Sequence, residues 1–238
     1  MGNSGNLRWP LTLVFTRFVL AFMIQGILAL ILSILDVDNA WEAAGRWWVV
    51  YGTLIDLGCI FLIMHFIKQE GLRIGELIGL DRAKRGRDIL LGLLFMVLFT
   101  VLAASGGIGA GALIYGGETP PHPMQPLPLL AALYALIVWP VLWGFAEETT
   151  YLGYALPRLK QATGKAWLAI LVIVLGWCLQ HAAMPFQWDL QWVSYRFLST
   201  LPIAVVLPFI YLKLGRLLPL IIAHALADML AVYSGLWM

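Results

Sequence analysis

Long apolar stretches alternate with short polar connections along almost the whole chain. A helix needs about 20 mostly apolar residues to cross the hydrocarbon core of a bilayer. Seven stretches approach or exceed that length and carry few charges, at roughly 10–34, 46–67, 89–114, 127–157, 165–186, 192–212 and 216–236. The pattern therefore predicts an all-α polytopic membrane bundle of about seven transmembrane helices.

The composition leaves little room for any part of the chain outside the membrane. Of the 238 residues, 61% are hydrophobic and only 12% are charged, against roughly 25% charged residues in a soluble domain. We therefore expect a single membrane domain over 1–238. The net charge is only +2, and we find no basic cluster with interleaved aromatics, so the sequence does not indicate nucleic-acid binding. Cys59 and Cys178 lie in apolar runs and predict no disulfide framework.

Lysine and arginine are concentrated in alternate connections. One of these contains the amphipathic stretch GLRIGELIGLDRAKRGRD at 71–88, which we expect to lie at the membrane interface. The basic residues on this side are Arg8, Lys68, Arg73, Arg82, Lys84, Arg85, Arg87, Arg158, Lys160, Lys165, Lys213 and Arg216. The other connections and their flanks hold only Arg46 and Arg196. Because basic loops stay in the cytoplasm, we expect an integral protein of the cell membrane with a cytoplasmic N-terminus and an outward C-terminus.

Several ionisable residues inside the last four predicted spans cannot be explained as membrane flanks. They are Glu147, Glu148, His181, His224 and Asp228. Residues i and i+4 share a helix face, so Trp177 lies beside His181, and His224 lies beside Asp228. Adjacent glutamates point about 100° apart and are unsuited to identical roles. An acidic residue at the middle of a membrane helix costs about 2.5–3.5 kcal/mol, so we expect these groups to converge on one polar cavity.

The chemistry of two glutamates, two histidines and an aspartate in a dry cavity is limited to a few classes. A carboxylate and a histidine can deprotonate a water molecule for attack on an amide or ester, and a second histidine can donate to the developing oxyanion. The same residue types could ligate zinc, or relay protons or ions in a transporter. Residue types alone leave these alternatives open.

At these positions the chain resembles the CAAX protease and bacteriocin-processing family (CPBP, or Abi) of intramembrane glutamic-type proteases. That family carries EExxxR with a following Gly, then FxxxH, then HxxxN or HxxxD, on successive membrane helices. Here the motifs stand as EETTYLG at 147–153, WCLQH at 177–181 and HALAD at 224–228. The resemblance covers roughly 127–236, the motif-bearing core. The first three spans fit by their count and by IGELIGLDR at 74–82.

The resemblance implies a role for each matching position. Glu147 with His181 would activate the water, His224 with Asp228 would support the oxyanion, and Glu148 would belong to the same catalytic set. No metal or cofactor is implied. The implied substrates are prenylated CAAX proteins or membrane peptides within the bilayer, and some relatives confer self-immunity to bacteriocins.

One departure from the family motif bears on activity. The motif's arginine is replaced by Leu152. The nearest basic residue on the same helix, Arg158, lies about 15 Å from Glu148 by helical rise and cannot substitute directly. The alternative to a peptidase is therefore a catalytically weak or inactive member that binds and regulates another membrane protein. A small transporter is a third alternative, but we find no paired repeats of the kind transporters carry.

Two further pairs of residues carry polar groups within the predicted spans. Arg17 in the first span and Asp56 in the second could meet at similar depth, and we interpret them as a structural ion pair rather than functional groups. Tyr151 and Tyr154 follow Glu147 by four and seven residues and share its face in a regular helix. Lining of the cavity and simple packing are equally consistent with this spacing.

The distribution of basic residues predicts the topology directly. Cysteines introduced as Lys84→Cys and Pro120→Cys should react with a membrane-impermeant thiol reagent from opposite sides, position 84 from the cytoplasm and position 120 from outside. Labelling in the reverse sense would contradict the orientation.

Overall fold

The protein is built entirely of helices over residues 7–237, the part of the chain that the computed structural model describes; residues 1–6 and 238 lie outside it. The elements are α1 (Arg8–Ile34), α2 (Ala40–Gly45), α3 (Trp48–Gln69), α4 (Ile74–Ile78), a 3₁₀ turn (Arg82–Lys84), α5 (Arg85–Tyr115), α6 (Leu129–Ile137), α7 (Trp139–Glu148), a π-helical segment (Thr149–Ala155), α8 (Leu156–Thr163), α9 (Ala166–Ala182), α10 (Leu190–Leu214) and α11 (Leu218–Trp237). The predicted all-α membrane bundle is confirmed.

Within residues 7–237, six helical stretches are long and apolar enough to cross a bilayer, and α9 is a shorter apolar helix of 17 residues. The predicted end of the fifth span, at residue 186, was wrong, because α9 ends at Ala182. Pro185 follows three residues later, and proline disfavours helical conformation in the residue before it. His181 therefore lies in the last turn of α9 rather than inside the span.

The fourth span is one helical stretch, Leu129–Thr163, whose helical geometry changes along its length. It consists of α6, α7, the π-helical segment and α8, and Pro140 and Pro157 lie in the first turns of α7 and α8. Proline is tolerated in a first turn because the N–H it lacks has no partner within the helix. The π-helical segment directly follows Glu147 and Glu148, and all seven of its residues are buried. Such segments of i→i+5 bonding are rare and occur frequently at functional sites.

Two glycines let the helices around the glutamates approach closely. A Cβ atom at Gly144 of α7 would lie 3.2 Å from the backbone nitrogen of Ala225 and 3.3 Å from the Cβ of His224, both on α11. A Cβ atom at Gly176 of α9 would overlap the side chain of Val14 on α1. Small residues at such crossings are typical of membrane bundles. The crossing at Gly144 brings α11 against α7, and the crossing at Gly176 brings α1 against α9.

The connection between α3 and α5 packs against the motif-bearing core. Leu77 and Ile78 of α4 are buried, whereas the charged residues around them are largely exposed, which matches the amphipathic pattern. Its place at the membrane interface stays a prediction. Beside it, Glu70 accepts hydrogen bonds from Arg158 and Tyr154. Partial burial raises the pKa of Glu70, but these hydrogen bonds outweigh it and hold the pKa below its ordinary value.

The contact between α1 and α9 predicts that Gly176 tolerates no side chain. Gly176→Val should displace α1 and lower the Tm of the detergent-solubilised protein by several degrees, since overpacking costs about 1–3 kcal/mol. Gly109→Val on α5 is the matched control, because nothing in the described structure lies within 4 Å of a Cβ built there. Equal Tm values for the two variants would contradict the close crossing.

Candidate active site

The two adjacent glutamates at the end of α7 are completely buried. Side chains from α1, α9 and α11 reach them there, and Gly144 lets α11 pack closely on α7, whereas Gly176 lets α1 pack closely on α9. A charge at this depth is tolerated only where other groups pair with it or donate hydrogen bonds to it. The partners of the two carboxylates therefore define the site.

Glu147 is held by side chains from three other helices. Its Oε2 accepts a hydrogen bond of 2.6 Å from Trp177 Nε1, and its Oε1 accepts one from Gln180 Nε2. Arg17 Nη2 of α1 lies 3.7 Å from Oε1, and His224 Nε2 of α11 lies 3.8 Å from Oε2. One carboxylate oxygen thus faces the cation and the other faces the histidine.

Glu148 has a different environment from its neighbour. Its Oε1 lies 2.9 Å from His224 Nδ1, and its Oε2 has no hydrogen-bond partner among the described residues. The two glutamates therefore contact opposite nitrogens of the same imidazole, with the Nδ1 contact being the short one. This difference agrees with the expectation that adjacent helical residues point in different directions.

His224 is the residue on which the acidic groups converge. Besides the two glutamates, Asp228 places Oδ2 3.5 Å from His224 Nε2 across one helical turn. The ring is enclosed by aromatic neighbours, with the centroid of Phe99 at 5.4 Å and that of Trp177 at 6.4 Å. The predicted pairing of His224 with Asp228 on one helix face is confirmed.

His181 stands at the edge of this cluster rather than within it. Its Nδ1 lies 3.0 Å from the backbone oxygen of Trp177. Because a carbonyl oxygen only accepts, Nδ1 carries the hydrogen, and in the neutral form of the ring Nε2 is the unprotonated nitrogen. Among the described residues, His181 makes no hydrogen bond or ion pair with Glu147. Its ring stands perpendicular to that of Trp143, 6.4 Å away.

A buried polar network lies behind Glu147. Arg17 and Asp56 form the predicted ion pair, with Nη2 and Oδ1 2.8 Å apart and both side chains fully buried. Arg17 Nε also donates to Gln180 Oε1, and the Tyr151 hydroxyl donates to the same oxygen at 2.9 Å. The guanidinium lies 4.5 Å from the centroid of the Trp143 ring, within the range of a cation–π contact.

Sequence reasoning missed the extent of this network. It found the Arg17–Asp56 pair but treated it as separate from the glutamates, and it gave Gln180 no role. The signal for Gln180 was present, since it is an amide inside an apolar run directly before His181. Of the two tyrosines left open, Tyr151 joins the network, whereas the Tyr154 hydroxyl donates to Glu70 instead. Within residues 7–237, no group of three His, Cys, Asp or Glu side chains is arranged to hold a metal ion.

Comparison with known families matches the region that contains this cluster. Residues 128–230 match a family model described as Type II CAAX prenyl endopeptidase Rce1-like. This part of the chain is similar to that family, and residues 128–230 are called the Rce1-like region below. The match agrees with the resemblance to CAAX proteases and nearly coincides with the predicted core, 127–236. No curated protein and no solved structure matched the chain significantly.

At Leu152 the Rce1-like region lacks the arginine of the EExxxR motif, and the structure around this position is apolar as well. Leu152 is fully buried and belongs to an apolar cluster that includes Leu156 and Leu217. Arg158, the next basic residue on this stretch, pairs with Glu70. The helix that bears the glutamates therefore supplies no cation to them.

The hydrogen bond from Trp177 to Glu147 can be tested by removing the indole and correcting for the lost ring volume with a matched control. Trp177→Phe should lower the Tm by several degrees more than that control, because hydrogen bonds to charged groups are worth about 1.5–3 kcal/mol. The matched control is Trp139→Phe, since Trp139 is equally buried but its Nε1 has no partner among the described residues. The bond would be refuted if both substitutions lowered Tm equally.

Proposed function

We propose that the protein is an intramembrane endopeptidase of the CAAX type that hydrolyses a peptide bond within or beside the bilayer. The observation that carries this proposal is the burial of Glu147 in the Rce1-like region, hydrogen-bonded by neutral donors and open on one oxygen toward His224. Buried carboxylates next to histidines are suited to general acid–base chemistry.

In the proposed mechanism, Glu147 and His181 activate the attacking water. The tautomer of His181 leaves Nε2 free to accept a hydrogen bond from water, and Glu147 Oε2 keeps a lone pair beyond the one bonded to Trp177. The water's oxygen bonds to the scissile carbonyl carbon while its proton passes to this acid–base pair. The same proton then goes to the leaving amide nitrogen as the C–N bond breaks, so the pair is regenerated.

His224 is the proposed oxyanion donor. Its Nδ1 is engaged by Glu148 at 2.9 Å, so its Nε2–H is the group available to donate to the negative oxygen of the tetrahedral intermediate. If the Glu148 carboxyl is protonated and donates to Nδ1, the neutral ring carries its hydrogen on Nε2. If Nδ1–H donates to Glu148 instead, Nε2–H is present only in the doubly protonated ring. Asp228, 3.5 Å from Nε2 on the same helix, orients the ring.

The proposed substrate is a membrane-embedded or lipidated peptide, with a prenylated peptide ending in a CAAX sequence as the first probe. This class follows from the similarity of residues 128–230 to the prenyl endopeptidase family and from the burial of the glutamates in a membrane bundle. A prenyl chain would partition into the bilayer, which brings the adjacent peptide bond to the membrane.

A regulatory role without catalysis is the second candidate, and two observations favour it. Leu152 places a buried apolar side chain where the motif has arginine, and His181 has no direct bond to Glu147 in the described structure. A protein of this kind would bind another membrane protein through the same cavity and leave its backbone intact.

Substitution of the proposed acid–base pair distinguishes the two functions. Glu147→Gln and His181→Ala should each lower the rate of cleavage of an internally quenched, prenylated CAAX peptide by at least about a hundredfold, because general acid–base groups contribute about 10²–10⁴ in rate. His65→Ala is the matched control, since His65 is exposed on α3 and bonds only to Gln69, and it should cleave at the wild-type rate. Full biological function of Glu147→Gln in cells would favour the regulatory role.

A further inference from the structure

The cation missing from the glutamate helix has a counterpart elsewhere in the bundle. Leu152 is packed among apolar side chains, and Arg158 is bound to Glu70. Arg17 of α1, by contrast, is fully buried and lies 3.7 Å from Glu147. It reaches this position because α1 crosses α9 closely at Val14 and Gly176, so that one turn further on Arg17 meets Gln180.

The contacts of Arg17 exceed those of a structural ion pair. A pair with Asp56 needs only the 2.8 Å contact from Nη2. In addition, Arg17 Nε donates a hydrogen bond to Gln180 Oε1, and this oxygen also accepts one from the Tyr151 hydroxyl. With its oxygen occupied by two donors, the Gln180 amide must present its NH₂ group to Glu147.

This arrangement fixes the orientation of the Glu147 carboxylate. Oε1 is held by Gln180 and attracted by Arg17, so Oε2 is the oxygen that faces His224 and Trp177. In a medium of low dielectric constant, an ion pair at this separation is weakly screened. Loss of the guanidinium would leave the carboxylate free to turn toward other donors.

We propose that Arg17 is a positioning residue for the reaction, which holds Glu147 from α1 in the absence of a cation at position 152. The inference rests on the proposed peptidase function, and it assigns to Arg17 a role that acts through Glu147 and Gln180 rather than on the substrate.

The kinetic test removes both charges of the ion pair together. Arg17→Met/Asp56→Leu removes Arg17 and Asp56 together, so neither is left as an unpaired charge, and Glu147 still has Trp177 and Gln180 as hydrogen-bond donors, so the protein should fold. On the quenched prenylated peptide, its kcat should fall about a hundredfold, as expected for a misplaced catalytic group, with KM unchanged within about twofold. The matched control is Arg158→Met/Glu70→Leu, which removes an arginine–carboxylate pair outside the site and should keep the wild-type kcat.

An NMR test reports the position of Glu147 without any substrate, through the indole N–H signal of Trp177. With ¹⁵N-labelled tryptophan, the indole N–H signal of Trp177, assigned by its loss in Trp177→Phe, should move upfield in Arg17→Met/Asp56→Leu as its bond to Glu147 weakens. The indole signal of Trp139 is the internal reference. If wild-type protein cleaves no peptide, the proposed function fails, and the Trp177 signal still decides whether Arg17 positions Glu147.

Arg17→Lys covers the case in which the double variant does not fold. Lysine keeps the charge beside Asp56 but lacks the forked guanidinium that reaches Gln180 at the same time, so kcat should fall about tenfold and the Trp177 signal should shift. A folded variant of either kind with wild-type kcat and an unmoved Trp177 signal overturns the inference.

Discussion

The burial of Glu147 in a membrane bundle is the constraint on which the rest of the site depends. A carboxylate removed from water loses a large hydration free energy, which only hydrogen-bond donors and opposite charges can replace. Here the replacement comes from Trp177 and Gln180 of α9, Arg17 of α1 and His224 of α11. Gly144 lets α11 pack closely on α7, and Gly176 lets α1 pack closely on α9, which places these donors around Glu147.

The same constraint separates the roles of the two glutamates. Glu147 takes the neutral donors and the guanidinium, whereas Glu148 takes one nitrogen of His224. The imidazole therefore couples the two carboxylates to Asp228. This division gives the adjacent residues complementary tasks in the proposed mechanism, although both are glutamates with no exposed surface.

The π-helical segment decides which residues after the glutamates belong to the site. In a regular helix, the side chains four and seven residues after Glu147 share its face. The wider turn keeps Tyr151 in the network, stacked on Trp177 at 4.9 Å, but turns Tyr154 toward Glu70 and leaves Leu152 in the apolar cluster. A cation for Glu147 could then come only from another helix.

The sequence by itself determined the membrane class, the helical architecture and the residues of the acidic and histidine cluster, because long apolar runs and intramembrane charges are local signals. It also indicated the Arg17–Asp56 pair, since opposite charges in neighbouring membrane spans are stabilised when they pair. Only the tertiary structure decided that this pair joins Glu147, that Gln180 links them, and that His181 ends its helix beside the cluster. Those features depend on close helix crossings and on a change of helical pitch. Both arise from contacts between residues far apart in the chain, as between Val14 and Gly176, and leave no periodic trace in the sequence.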